Sequence, residues 1–316
     1  MKKTILIILI YIFILLAVPY TITMAMTGIV GDTSHVVPYD GRIILLNTEK
    51  VTQNIDYSEY LVGYVARNLI SFDETVFDYP EFIKLNCIVA NTVLTTEFPD
   101  QSVISDEFLK EHYISNEDLQ TLWGEQYTNR MDLIKNAISE TYNQVICYET
   151  RPVKPYYHFI SNGMTRTYGD DTAPYLKIAD TNMDLEEKGF LSVNTYTSQD
   201  FISLIENNIP NSGLGKDDIL KEHFQIVNRD ASGYVTKLQI GNVMMSGDDF
   251  MNLFSLNSPA FTITFQDEYL KIITKGVGHG YGISLSYALR LAKQEKSCAE
   301  IISYFYENVE IKNYRE

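Results

Sequence analysis

Four glycines at every second position, Gly276, Gly278, Gly280 and Gly282, enclose a single ionisable side chain, His279, and the stretch closes on Ile283 and Ser284. Glycine at this density lets the backbone take φ > 0 and approach a ligand or a neighbouring strand closely. An imidazole held there can donate or accept a hydrogen bond, or share in proton transfer. Phosphate binding is not the chemistry indicated, because Tyr281 and Ile283 break the G-x-G-x-x-G pattern and no G-K-[ST] follows. A second imidazole, His158, stands among Tyr156, Tyr157 and Phe159, three residues ahead of Ser161. Two histidines without a third ligand at a recognisable spacing do not make a metal site, and neither metal nor cofactor is expected. For His279 two roles stay open: a structural hydrogen bond that pins the glycine turns, and a contact with a ligand in a cleft. The same two stay open for His158, which its aromatic neighbours could bury on a sheet.

The elements around these residues must hold them. Alternating runs at 261–265 and 269–274 read as strands leading into the glycine stretch, and Leu285, Ala288, Leu291 and Ala292 then share one helical face. Ser297 and Glu300 form a capping box for a last helix through Ile301, Ile302 and Phe305. Upstream, runs at 224–228, 234–240 and 243–245 alternate about a turn at 230–233 and a Gly241-Asn242 hairpin turn, and Ser246 with Asp249 caps a short helix. Nearer the N-terminus, strand-like runs at 42–47 and 51–55 precede a D-x-x-E box at Asp56 and Glu59, which starts a helix carrying Leu61, Val62, Val65, Ala66 and Leu69. Pro80 opens a second helix with Phe82, Leu85, Ile88, Val89 and Val93 along its stripe. Short helices at 115–123 and about 131–138 come before two short strands, at 145–148 and in VKPYYHF. Residues 181–218 are polar, with one helix from Ser198 through Phe201 and Ile205. The expected fold class is α+β, a mostly antiparallel sheet flanked by helices at both sequence ends, as a single domain over 42–316.

Charge and hydropathy bound the setting. Lys2 and Lys3 are the only charges before residue 31, and the apolar run from residue 4 reads as a transmembrane signal-anchor over 4–30. A cleaved signal peptide is the alternative. Residues 31–41, rich in Gly, Pro, Asp and Ser, read as a linker. Either way the rest of the chain is expected outside the cytoplasm, held to the cell membrane by one pass if the segment is kept. The 316-residue chain carries a formal net charge of −16, so nucleic acid and anionic lipid surfaces are poor partners, while neutral sugar polymers remain open. Cys87, Cys147 and Cys298 lie far apart in apolar patterns, which suits buried free thiols; one disulfide with a leftover thiol is the alternative.

Several segments, in order, resemble the stage II sporulation protein D family, which includes the amidase-enhancer proteins of bacterial cell walls. The glycine stretch is similar to that family's G-x-G-H-G-x-G-M-S-Q. YYHFISNGMT (156–165) resembles F-H-x-x-S-x-G-x-T, and AISETYNQVICYETRPV (137–153) resembles A-V-x-x-T-x-G-x-V-L-x-Y-x-G-x-P-I. YSEYLVGYVARNLI and PEFIKLNCIVANTV are similar to Y-L-x-G-V-V-A-x-E-M-P and P-E-A-L-K-A-Q-A-V-A-A-R-T-Y. The resemblance covers about residues 42–313.

What the resemblance implies is an extracytoplasmic protein that acts on peptidoglycan glycan strands during sporulation, as a lytic transglycosylase or in support of a partner such as a cell-wall amidase. Lytic cleavage needs a general acid to protonate the glycosidic oxygen while the muramic 6-hydroxyl attacks the anomeric carbon. The family's acid is the Glu of V-A-x-E-M-P, and that position is Asn68 here, an amide with no titratable proton. Asn86 and Asn91 replace the family's Gln and Arg, and Leu285 replaces the Gln of G-M-S-Q. His158, Ser161, Gly163, Thr165, His279 and Ser284 match the pattern, and Tyr156, Tyr157 and Tyr281 lie beside the expected cleft, where their rings could stack on sugars. Glu59, Asp73 and Glu74 are the carboxylates from which a relocated acid would come. Two functions stay open: a divergent transglycosylase, and a catalytically silent glycan-binding protein.

Overall fold

The computed structural model describes residues 43–47, 52–97, 103–104, 112–209, 211–215, 220–266 and 268–314. The expected anchor and linker lie outside these residues, and no helix among those described is long and apolar enough to cross a membrane.

Strands β1 (Ile43–Asn47) and β2 (Thr52–Asp56) pair antiparallel and feed α1 (Tyr57–Leu69). The Asp56 carboxylate accepts from the Ser58 backbone N–H, but the expected box does not close, because Glu59 instead accepts from Asn116 Nδ2 at 2.9 Å. Helix α2 (Pro80–Glu97) is buried on nearly every side, since α1, α4 (Tyr127–Glu140) and β4 (Gln144–Tyr148) all pack on it. Between them run β3 (Val103–Ile104), which pairs parallel with β1, and α3 (Asn116–Trp123), capped by Ser115. Short strands β5 (Arg151–Pro152) and β6 (Tyr157–His158) complete the first half.

The second half holds β7 (Leu191–Thr197), α5 (Ser198–Asn208), α6 (Leu220–His223), β8 (Phe224–Arg229), β9 (Val235–Ile240), β10 (Val243–Met245) and α7 (Gly247–Leu253). It continues with β11 (Phe261–Gln266), β12 (Tyr269–Lys275), β13 (Ile283–Ser284), α8 (Leu285–Lys293), α9 (Cys298–Phe305) and β14 (Val309–Asn313). The Ser297–Glu300 capping box forms as expected, and α8 and α9 pack back on α2.

The α+β class holds, but the expected sheet is divided into small sheets of two or three strands, ordered β2-β1-β3, β10-β9-β8, β11-β12-β7, β13-β6 and β14-β4-β5. Pairing is antiparallel except for β1 with β3 and β6 with β13. Strand β7 falls in the stretch read as polar; it pairs with β12 along its whole length while Leu191 and Val193 face outward. Apolar side chains gather in two clusters. One surrounds α2, and the other fills the space among β7–β12, α5 and α7 around Phe250, whose ring meets Phe254 at 4.5 Å and Phe261 at 5.0 Å. Burying one such side chain contributes about 1.5–3 kcal/mol. All three cysteines are free thiols, with Cys87 and Cys147 buried and Cys298 half-buried.

Candidate functional site

The chain leaving β12 runs back across the segment 156–161, and this crossing builds the site. Val277 exchanges backbone hydrogen bonds with Ile160 at 2.7 and 3.0 Å, Ile283 N–H donates to the Tyr156 carbonyl at 3.0 Å, and β13 then pairs with β6. Alternate glycines are what this approach requires. Gly278 has φ +106°, and a Cβ there would stand 2.6 Å from the Cβ of His158; one on Gly282 would stand 2.1 Å from the Tyr156 oxygen. The room the glycines leave is thus filled by the protein's own chain, so the stretch packs the wall of a site and does not itself cradle a ligand.

That packing fixes both imidazoles. His279 Nδ1 accepts from the Tyr281 N–H at 3.0 Å, and His158 Nδ1 donates to the Tyr281 carbonyl at 3.1 Å. The backbone N–H and carbonyl of one residue, Tyr281, therefore place the neutral-ring proton on Nε2 in His279 and on Nδ1 in His158. The rings are 5.8 Å apart. Burial pushes the His158 imidazolium down to about 4, against its hydrogen bond to Tyr281. Burial also pushes His279 down to about 3, helped by His158, Arg166 and Lys154. Both rings are neutral at physiological pH, so they offer hydrogen bonds and not a ready proton. The buried Nε2 of His158 has no hydrogen-bond partner.

The serines matched by sequence lie deeper. Ser161 and Ser284 are fully buried on Asp184, whose Oδ2 accepts from the Ser161 N–H at 2.8 Å and from Ser284 Oγ at 2.6 Å, while Oδ1 accepts from Ser286 Oγ. Neither serine reaches the cleft surface. Beneath His279 lies Arg166, 3% exposed, which pairs with Asp230 at 2.9 Å and Asp248 at 3.2 Å and donates to the His279 carbonyl at 3.3 Å. Its guanidinium lies 4.3 Å from the centroid of Tyr281, a ring that is buried and stacked on Tyr168 at 4.2 Å. Burial raises the Asp248 carboxyl in spite of Arg166. Asp249, by contrast, is a cap partner of Ser246. Asp184 and Arg166 carry no local pattern: their partners are up to 113 residues away.

Beside these groups opens a cleft of about 520 Å³ lined by Tyr64, Glu97, Lys154, Tyr156, Tyr157 and His279, among others. Tyr157 and Tyr64 join hydroxyl to hydroxyl at 2.7 Å, and His279 meets the edge of Tyr156 at 6.0 Å. Asn68 does not line the cleft. Its Nδ2 donates to Asn86 Oδ1 at 3.2 Å in the seam between α1 and α2, and Asn86 donates in turn to the Phe82 carbonyl. Asn91 is spent on the Thr141 carbonyl. The carboxylates proposed for a relocated acid are engaged elsewhere: Glu59 with Asn116, Asp73 with Thr75, and Glu74 with Arg130. Among the described residues the carboxylate that does line the cleft is Glu97, at the last position of α2, in ion contact with Lys154 at 3.1 Å. Sequence reasoning missed it because TTE ends the helix outside its apolar stripe. Among the described residues no cluster of three His, Cys, Asp or Glu side chains is placed to hold a metal ion.

Fold and site together define an α+β protein with a tyrosine-lined cleft, backed by two neutral imidazoles. No protein-family model matches the chain. It is similar to stage II sporulation protein D of Bacillus subtilis (strain 168), 25% identical over 271 residues that span 82% of this chain and 75% of that protein. Stage II sporulation protein D of Bacillus amyloliquefaciens is 27% identical over the same shares. An uncharacterized protein of Brachyspira hyodysenteriae is 24% identical over 57% of this chain and 49% of its own. The chain is thus a distant relative of stage II sporulation protein D.

Proposed function

We propose that the protein binds glycan strands of peptidoglycan in the cleft between the tyrosines of 156–157 and α1–α2, and that it acts there without the acid expected at position 68. The observation that carries this reading is the lining itself: tyrosine faces that suit pyranose rings, beside the N–H of a neutral His279 that suits sugar hydroxyls. The N-terminal segment 4–30 would hold this domain on the outer face of the cell membrane, where a glycan strand or a partner hydrolase such as an amidase would meet it.

One observation favours a second reading, strand cleavage, since Glu97 puts a carboxyl group on the cleft wall. Loss of a general acid costs about 10²–10⁴-fold in rate. The two readings separate when full-length protein is incubated with glycan strands freed of stem peptides and the products are examined by mass spectrometry for anhydro-ended sugars. The silent-binder reading expects strand binding without product, in the native protein and in Asn68→Glu alike. Product that survives Asn68→Ala and disappears in Glu97→Gln would replace it with the second. No binding to strands would end both.

A further inference from the structure

Strand β7 ends its sheet: it pairs with β12 on one side and, among the described residues, with no strand on the other. Just beyond its two ends, Gly276 N–H donates to the Phe190 carbonyl and Ser198 N–H donates to the Glu268 carbonyl. Bonded pairs in an antiparallel ladder fall on alternate residues, so Ser192, Asn194 and Tyr196 turn their backbone groups to β12. The N–H and C=O groups of Leu191, Val193 and Thr195 therefore point out from the edge. Side-chain burial agrees that the edge is open. Ser192, Asn194 and Tyr196 are half-buried, whereas Leu270 and Ile272 opposite them on β12 are fully buried. On the other face Leu191 and Val193 are 59% and 58% exposed.

Other sheet edges carry a guard. Strand β8 is broken by an irregular register at Ile226 and Asn228, β10 has only three residues, and β14 carries Glu310 and Lys312. Natural sheets blunt their edges by such devices, because a bare edge is a template for a further strand. Over its seven residues β7 has no charge, no proline and no bulge.

We infer that β7 is the edge by which two copies of this chain join, antiparallel about a two-fold axis at Val193, so that two sheets become one. The strand's own sequence argues for a copy of itself as the occupant. Thr197 is spent on capping α5, which leaves 191–195 as the pairable edge with Val193 at its middle. A copy centred there sets Val193 against Val193 and Leu191 against Thr195 on the outer face, and Ser192 against Asn194 on the inner. Apolar groups meet on one side, a hydroxyl meets an amide on the other, and the strand brings no charge against its like. Lys271 and Lys275 of β12 would face their copies across three strand spacings, about 14 Å, beyond the screening length of physiological salt. The long-range field is the opposing influence, since each copy carries a net charge of −16, and salt weakens it. This pairing is independent of what the cleft binds.

The test is sedimentation velocity on the full-length protein, in a detergent matched in density to the solvent, with amide hydrogen exchange on the same samples. The native protein is expected to pass from monomer to dimer with concentration, and to do so more readily as salt rises from about 50 to 500 mM. In the dimer the amides of Leu191, Val193 and Thr195 should exchange about tenfold more slowly or better. Val193→Lys sets two ammonium groups opposite one another and should weaken the dimer about tenfold, while Val193→Ile should keep it. Position 193 is exposed, so the urea midpoints of both variants should stay close to the native value. The exchange measurement on native protein depends on neither variant. A chain that stays monomeric at about 0.1 mM overturns the inference and leaves the edge to a strand of a different protein. A dimer that Val193→Lys does not weaken, or in which those three amides gain no protection, overturns it as well.

Discussion

Removal of the Asp184 carboxylate is the sharpest test of how the site is held. Asp184 is fully buried and accepts from three donors that come from two separate parts of the chain: the Ser161 N–H and the hydroxyls of Ser284 and Ser286. In Asp184→Ala each donor loses its acceptor, and a buried donor left unpaired costs about 1–3 kcal/mol. The hydroxyls can recover part of this, because Ser284 and Ser286 are already 3.3 Å apart and can turn toward one another. The Ser161 N–H has no such freedom, and the expected loss is about 3–4 kcal/mol, a large share of the roughly 5–15 kcal/mol of a folded protein. Asp184→Asn keeps an oxygen for Ser161 and Ser284 and lets the Ser286 hydroxyl rotate to accept from the new amide, so only about 1–2 kcal/mol should be lost. Urea denaturation followed by far-UV circular dichroism reads both values by linear extrapolation. A loss below about 1.5 kcal/mol in Asp184→Ala, or equal losses in the two variants, would refute the three-donor account.

The other perturbations address the wall and its imidazoles. Gly278→Ala should cost about 2–4 kcal/mol, from the positive φ and the collision with His158, with thermal unfolding as the measure. Because the folded pKa of His158 is depressed to about 4, the unfolded chain binds the proton first on acidification; stability is full above about pH 6.5 and drains away toward pH 4. Urea titrations across that window should show this slope, to which His279, depressed to about 3, adds its own, and His158→Asn should reduce it. His279→Ala should weaken glycan binding by calorimetry without unfolding the domain, and unchanged affinity would remove His279 from the ligand surface. Arg166→Ala strands two partly buried carboxylates and is expected to cost about 3–5 kcal/mol, measured by urea denaturation.

Much of the fold is written in short-range pattern. The stripes of α1 and α2, the caps at Ser115 and Ser246, and the Ser297–Glu300 box depend on neighbours within one turn, and a period of three to four residues reports them. Strand β7 escapes that kind of inference because its inward side chains are Ser192, Asn194 and Tyr196 and its outward ones include Leu191 and Val193, so hydrogen bonding to β12 decides its state. The same divide runs through the site. His158 and His279 stand in conspicuous local settings, while Asp184, Arg166 and Glu97 act through partners 23 to 113 residues away and leave no periodic trace. Asp56 and Glu59 show the converse, a sequence pattern present without its geometry, since Asn116 outcompetes the helix N-terminus for the glutamate.

The backbone N–H and carbonyl of Tyr281 bond one ring each, and they belong to the main chain, which side-chain substitution cannot delete. Drift at position 281 would change the ring on Tyr168 and leave the two tautomers as they are. Nitrogen chemical shifts of the imidazoles should therefore be distinct from one another, and should stay so in Tyr281→Phe. Only a residue without an N–H, proline, could erase the instruction to His279.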